Sequence, residues 1–196
     1  MAPDERRQAI VEAVVPLLVR SGAGVTTREI AEAAGVAEGT IFRVFPDKCA
    51  LMMAAARATM DPSSERRALA EIDPTLDLRE TVREVTEHLL ARMEKVLAVM
   101  MAVRAIVVPE GKAGDPRRDG PPDFVVDANK ALLVTLTEVF ERHRGELVIA
   151  PERAALMLRS LVFGSRHPGM DNARPLTADE IAGVLVGGIK QPGRKR

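Results

Sequence analysis

Residues 26–48 read TTREIAEAAGVAEGTIFRVFPDK, a stretch that predicts two short helices joined by a tight turn. Thr26 and Glu29 have the spacing of a capping box, which begins a helix. Gly35 supplies the left-handed backbone conformation that a turn between two helices requires. Two short helices joined by a glycine-containing turn make a helix-turn-helix.

Helices are also predicted on both sides of this motif. Upstream, apolar residues from Ile10 to Leu18 recur with the 3.6-residue period of a surface helix. Downstream, Asp47 is a good N-cap for a helix over residues 48–60. The pattern therefore predicts a three-helix domain over residues 1–48, with the 48–60 helix as its link to the rest of the chain.

Residues 61–196 are expected to form a second, helical domain. The sequence Asp-Pro-Ser-Ser at 61–64 interrupts the helical pattern and marks the boundary. Apolar residues recur at helical spacing over 76–108, which predicts one long helix or two shorter ones. Residues 109–122 are rich in proline, glycine and charge, so they are predicted to be an exposed loop.

The last two predicted helices differ from the others. Residues 151–165 are apolar almost all round, which indicates burial on more than one side. A second capping box at Thr177 and Glu180 begins the final helix. A partner subunit is one way to supply the second side of the 151–165 helix.

The composition fits an ordinary globular protein and favours an all-α fold. Of 196 residues, 46% are hydrophobic and 29% charged, while only 3% are aromatic. The 28 basic residues balance 28 acidic ones, so any DNA site must be a local patch. The longest apolar run, Val96 to Val103, is far shorter than the roughly 20 residues of a membrane span. The single cysteine, Cys49, excludes an internal disulfide and fits the reducing cytoplasm.

Residue patterns for catalysis or cofactor binding are lacking in the sequence. It shows no nucleophile paired with a base, no metal-ligand cluster and no glycine-rich phosphate loop. His88, His143 and His167 do not have the short spacing of metal ligands. We therefore expect no enzyme activity, no metal and no cofactor.

The 26–48 stretch closely resembles the DNA-binding signature of the TetR family. The resemblance covers about the first quarter of the chain, and the remainder is similar only in its several helices and its dimer-forming pair. It implies a homodimeric regulator that binds a palindromic DNA operator and is released by a small-molecule effector. Repression is the commoner behaviour in the family, and activation is the alternative. It also implies that residues of about 151–166 and 177–190 pack with their counterparts as a four-helix bundle.

The resemblance also implies which residues contact DNA. Arg28 and Arg43 are candidates for base edges, since a guanidinium can pair bidentately with guanine, and Glu38 can accept from the amino group of cytosine. Hydroxyl groups and the Lys48 ammonium are candidates for phosphate contacts, and Gly39 permits close approach. The predicted set is Thr26, Thr27, Arg28, Glu38, Gly39, Thr40, Phe42, Arg43 and Lys48.

The chain departs from the family pattern at three positions. Phe42 stands where the family usually has tyrosine, and Ala37 and Val44 stand where serine and histidine are frequent. Two or three phosphate hydrogen bonds are therefore expected to be missing. Residues 1–50 are also not net basic, so we expect modest affinity for non-specific DNA.

The effector site is predicted from polar and adaptable side chains in the second half of the chain. A methionine stripe at helical spacing is more often core than pocket, so that alternative stays open. An all-helical small-molecule or lipid-binding module, or an unrecognised enzyme, with a vestigial helix-turn-helix is the alternative function. The candidate ligand-binding residues are His88, Arg92, Met93, Met100, Asn129, Phe140 and Met157.

Overall fold

A computed structural model describes residues 2–107, 121–166 and 174–190, and within them the fold is all-α, as predicted. An isolated bridge between Leu147 and Lys190 is the one β-type pairing in the described part of the chain. The helices are α1 (Pro3–Ser21), α2 (Thr27–Ala34), α3 (Glu38–Val44), α4 (Lys48–Thr59), α5 (Pro62–Ala70), α6 (Leu78–Val107), α7 (Asp123–Glu141), α8 (Pro151–Arg166) and α9 (Ala178–Ile189).

The described residues divide into two compact units. The first unit draws on Met1–Asp61 and Lys95–Val125, and the second draws on Pro62–Glu94 and Val126–Arg196. The long pattern that predicted one helix or two is a single helix, α6, and its residues belong to both units.

The core of the first unit joins the helix-turn-helix to its neighbours. Ile10, Ile30 and Ile41 are at most 2% exposed and lie in one apolar cluster that includes residues from α1 to α4. The C-terminal part of α6 adds Val99 and Val103 to the same cluster. Burial of such side chains stabilises by about 1.5–3 kcal/mol each, so α6 is part of the support of the helix-turn-helix.

The core of the second unit is built from helices α5 to α9. Leu78, Leu136, Phe140 and Leu158 are at most 1% exposed, and Ile181 of α9 completes their cluster. These residues recur on one face of each helix, which is the pattern that predicted the helices from the sequence.

Local signals in the sequence are confirmed at the ends of several helices. The Thr26 and Thr177 side chains cap α2 and α9 and accept from the backbone N–H groups of Glu29 and Glu180. Gly35 ends α2 with a φ of +64°, the left-handed conformation expected of it.

The helical pattern breaks at Met60 and Asp61, and the break is shorter than the predicted 61–64, because helix α5 begins at Pro62. Proline is tolerated in the first turn of a helix, where its missing N–H group has no partner to lose. Glu65 and Leu69 lie one turn apart and are both buried, so packing in the second unit favours the helix. The predicted loop at 109–122 lies outside the described residues except for Pro121 and Pro122.

Two kinds of feature are absent from the described ranges. In these ranges no helix has the length and apolar character needed to cross a bilayer. Nor do these ranges contain a group of three or more His, Cys, Asp or Glu residues that could hold a metal ion.

Gly35→Ala is expected to destabilise the protein by about 1–2 kcal/mol, because an L-residue is strained in the left-handed region. Gly39→Ala is the matched control, since Gly39 lies within α3 and a Cβ there would meet no atom within 4 Å. Alanine in that helix should be neutral or stabilising by up to about 1 kcal/mol. Urea denaturation measures both changes, and equal effects of the two substitutions would contradict the role given to Gly35.

Candidate nucleic-acid interface

Three buried side chains hold α2 and α3 in their mutual orientation. Ile30 of α2, Ile41 of α3 and Phe45 just after α3 are all at most 2% exposed. Between the helices, the Val36 N–H donates to the Ala31 carbonyl at 3.0 Å, which closes the turn. The opposite face of α3 is therefore left free for a partner.

That opposite face carries most of the predicted base-reading groups. Glu38, Gly39, Phe42 and Arg43 are exposed, with Phe42 at 53%, and Thr40 is half-buried. A helix of this size enters the major groove of B-DNA, which is about 12 Å wide. An exposed phenylalanine on such a face can contact a thymine methyl group or a sugar.

Arg43 is the cation of this face whose guanidinium is available. Within the described residues no hydrogen bond or ion pair engages it. The Arg28 side chain, by contrast, lies 3.1 Å from Glu32 across one turn of α2. Both members of that pair are mostly exposed, so the pairing is weak and can be exchanged for a DNA contact.

The two threonines at the start of α2 use their hydroxyl protons inside the protein. Thr26 Oγ1 donates to Glu29 Oε2 at 2.8 Å and accepts from the Glu29 N–H at 3.2 Å. The Thr27 hydroxyl donates to the Glu38 carboxylate at the start of α3. The Thr40 hydroxyl has no such partner in the described part of the chain, so it is the better placed of these hydroxyls to donate to a phosphate.

Lys48, a predicted phosphate contact, also makes hydrogen bonds inside the protein. Its Nζ donates to the Val25 carbonyl at 2.6 Å and faces the Ala23 carbonyl at 3.4 Å. The ammonium thereby ties the start of α4 to the connection between α1 and α2. One of its three N–H groups remains for a phosphate.

Arg7 was missed by reasoning from the sequence. Its Nη1 lies 3.4 Å from the Val44 carbonyl, and its guanidinium lies 4.4 Å from the centre of the Phe45 ring. A cation at the C-terminal end of α3 favours that helix and covers the aromatic ring. Nothing in the local sequence marks Arg7, because the contact joins residues 37 positions apart.

The predicted ligand-binding residues are distributed over both units. His88 Nε2 and Arg92 Nε lie 3.3 and 2.8 Å from the two carboxylate oxygens of Glu65, a buried residue that sequence reasoning also missed. The remaining five do not gather at that carboxylate in the described contacts. Met93 is half-buried, Met100 packs against the core of the first unit, Asn129 is exposed, Phe140 is in the core of the second unit, and Met157 is 45% exposed.

Charge near the helix-turn-helix is mixed. Basic and acidic side chains are about equally numerous in residues 1–50. The basic residues are Arg6, Arg7, Arg20, Arg28, Arg43 and Lys48, and the acidic residues are Asp4, Glu5, Glu12, Glu29, Glu32, Glu38 and Asp47. DNA binding without sequence preference depends on net positive charge, which this surface lacks. The charge of this region therefore favours sequence-specific contacts over general attraction to phosphates.

The exposed α3 face and its buried supports form a helix-turn-helix, the motif by which many regulators bind DNA. Residues 10–55 match the family model of bacterial regulatory proteins of the tetR family. The chain is therefore similar to TetR-family regulators over its helix-turn-helix region. No match was found among curated proteins.

Solved structures show the same fold over almost the whole chain. The chain is 25% identical to the TetR regulator SCO0520 from Streptomyces coelicolor, covering 95% of this chain and 99% of that one, with a TM-score of 0.61. It is 21% identical to AibR in complex with isovaleryl coenzyme A and operator DNA, covering 95% and 99%, with a TM-score of 0.51. It is 19% identical to SmeT, the repressor of the Stenotrophomonas maltophilia efflux pump SmeDEF, covering 95% and 91%, with a TM-score of 0.58.

The Glu29 carboxylate should make stability depend on pH. The Thr26 backbone N–H, and then its hydroxyl, hold the pKa of Glu29 below its ordinary value of 4.5. A lowered pKa stabilises the fold above the ordinary value, and this contribution is lost as pH falls through the folded pKa. The advantage of the wild type over Glu29→Gln should therefore be present at pH 6 and shrink below pH 4.5.

Thermal unfolding of both proteins between about pH 6 and pH 3 measures this effect. Glu180→Gln is the matched variant, since Thr177 lowers the pKa of Glu180 in the same way. A difference between wild type and Glu29→Gln that stays constant over this range would contradict the assignment.

Proposed function

We propose that this chain is a ligand-responsive repressor that binds a palindromic operator as a homodimer in the cytoplasm. The observation that carries the proposal is the exposed face of α3, where Arg43 is available beside Glu38, Gly39, Thr40 and Phe42. Arginine pairs bidentately with guanine, which is the commonest specific contact in the major groove. The α2 residues Thr26, Thr27 and Arg28 and the α4 residue Lys48 complete the proposed interface.

Dimerisation through α8 and α9 is supported by apolar side chains exposed on both helices. Met157 and Phe163 of α8 are 45% and 50% exposed, and Val184 of α9 is 72% exposed. Gly187 and Gly188 of α9 are also exposed and let a partner backbone come close. A palindrome has two half-sites one turn of DNA, about 34 Å, apart, and a symmetric dimer would present one copy of α3 to each.

Effector binding is proposed for the second unit, with Glu65, His88 and Arg92 as its polar anchor. The Arg92 side chain is only 14% exposed and that of Glu65 only 5%, so the pair is shielded from water and offers polar partners to a ligand group that reaches it. The AibR structure contains isovaleryl coenzyme A, and a SmeT structure contains triclosan. An effector releases DNA only if it binds the DNA-free state more tightly than the DNA-bound state.

Arg43→Ala is expected to weaken binding to the selected operator by about 1–3 kcal/mol, because one bidentate base contact is lost. Arg20→Ala is the matched control, since Arg20 is an exposed arginine of the same unit that lies at the end of α1. It removes the same charge and should change binding to all duplexes alike. Fluorescence anisotropy at about 0.15 M salt measures both variants on an operator selected from random duplexes.

Two outcomes of that experiment would contradict the proposal. If wild type prefers its selected duplex over a scrambled one by less than about 10³-fold, it is not a specific regulator. Equal weakening by the two substitutions would show that Arg43 supplies charge rather than base recognition. Binding of small molecules without selective DNA binding would favour a helical ligand- or lipid-binding module.

Val184→Glu is expected to convert the dimer to monomer, because it places two buried and unpaired carboxylates in the proposed interface. Val134→Glu is the matched control: Val134 is 52% exposed but lies on α7. Sedimentation equilibrium at micromolar concentration measures the mass of each variant. A wild-type monomer, or dissociation by Val134→Glu alone, would exclude α8 and α9 as the dimer interface.

A further inference from the structure

Glu38 is an acidic residue on the face of α3 that is proposed to contact DNA, where a negative charge is unexpected. It is exposed, and within the described residues no cation lies within ion-pair distance of it. A free carboxylate between two phosphate backbones is repelled by them. The residue is therefore unfavourable for binding unless a base donates to it.

The structure shows how the Glu38 side chain is held. The Thr27 hydroxyl, at the first position of α2, donates to Glu38 Oε1 at the first position of α3. Thr27 is half-buried, so its position is set by the packing of α2. This hydrogen bond joins α2 to α3 and engages Oε1, so Oε2 of the exposed carboxylate remains as an acceptor.

We propose that Thr27 and Glu38 act as one recognition pair, in which Thr27 positions Glu38 to accept from the amino group of a cytosine. In the major groove a carboxylate accepts from cytosine N4, whereas guanine and thymine offer no donor there. Adenine offers N6 but places the N7 acceptor beside it, which disfavours a carboxylate. The operator half-site then contains a cytosine read by Glu38 as well as the guanine read by Arg43. This inference rests on the proposed DNA binding and names the bases recognised at the same site.

The pair also gives Thr27 a role different from the phosphate contact expected from the sequence. The hydroxyl has a single proton, and Glu38 accepts it. A hydroxyl that has donated its proton cannot also donate to a phosphate oxygen. Thr27 is thus a positioning residue that acts on specificity through Glu38.

The experiment begins with selection of the operator from random duplexes by the full-length wild type. Competition binding then measures all single-base variants of the selected half-site with wild type, Glu38→Gln, Thr27→Val and Thr27→Ser. We expect wild type to prefer cytosine at one position by about tenfold or more. Glu38→Gln should move that preference to adenine, since an amide pairs bidentately with adenine.

The threonine variants separate positioning from phosphate binding. Thr27→Val keeps the branched shape but lacks the hydroxyl, so the cytosine preference should fall several-fold. The guanine preference assigned to Arg43 should stay unchanged, which also reports that the variant is folded. Thr27→Ser restores the hydroxyl and should restore the cytosine preference.

Each contrary result has a distinct meaning. If wild type selects no sequence, DNA recognition as a whole is overturned and this inference with it. If a guanine preference is found but Glu38→Gln changes no base preference, the recognition pair is overturned while the regulator stands. If Thr27→Val weakens every duplex by the same factor, Thr27 contacts phosphate and does not position Glu38.

Discussion

The burial of Ile30, Ile41 and Phe45 around the turn at Gly35 is the constraint on which the rest of the site depends. These side chains are at most 2% exposed, so α2 and α3 cannot rotate against each other without exposing apolar surface to water. Because this angle is fixed, the exposed face of α3, a helix of seven residues, keeps a defined orientation relative to α2. The angle between α2 and α3 therefore fixes the relative positions of the polar groups on the proposed interface.

The polar groups around this core fall into two sets. The first set donates hydrogen bonds inside the protein and thereby fixes the geometry of the site. Its members are Thr26, which donates to Glu29, Thr27, which donates to Glu38, and Lys48, which donates to the Val25 carbonyl. Arg43 and the Thr40 hydroxyl have no described partner and are available to DNA. A surface with balanced charge and few available donors gains affinity from specific contacts more than from general attraction to phosphates.

Helix α6 belongs to both units, and this gives the proposed regulation a physical route. Its residues 78–94 include His88 and Arg92, which meet the buried Glu65 carboxylate. Its residues 95–107 include Val99 and Val103, which are buried in the cluster that supports the helix-turn-helix. An effector that binds beside the first segment would contact a helix whose other segment is part of the core that supports the helix-turn-helix. Such coupling requires that the effector bind the DNA-free and DNA-bound states with different affinities. The change in DNA affinity cannot exceed the ratio of those two effector affinities.

The sequence by itself determined the features that depend on residues three or four positions apart. The caps at Thr26, Asp47 and Thr177, the left-handed turn at Gly35 and the apolar periods of the helices are all local, and all are present as predicted. The tertiary structure decided which distant residues meet. Lys48 finds the Val25 carbonyl 23 positions away, Arg7 finds the end of α3, and Glu65 is buried because α6 brings Arg92 to it. Because Glu65 follows the sequence Asp-Pro-Ser-Ser, its sequence neighbours alone predict that it lies in an exposed loop. Its burial depends on a partner that only packing supplies, because the free energy of a buried charge is set by what surrounds it in space.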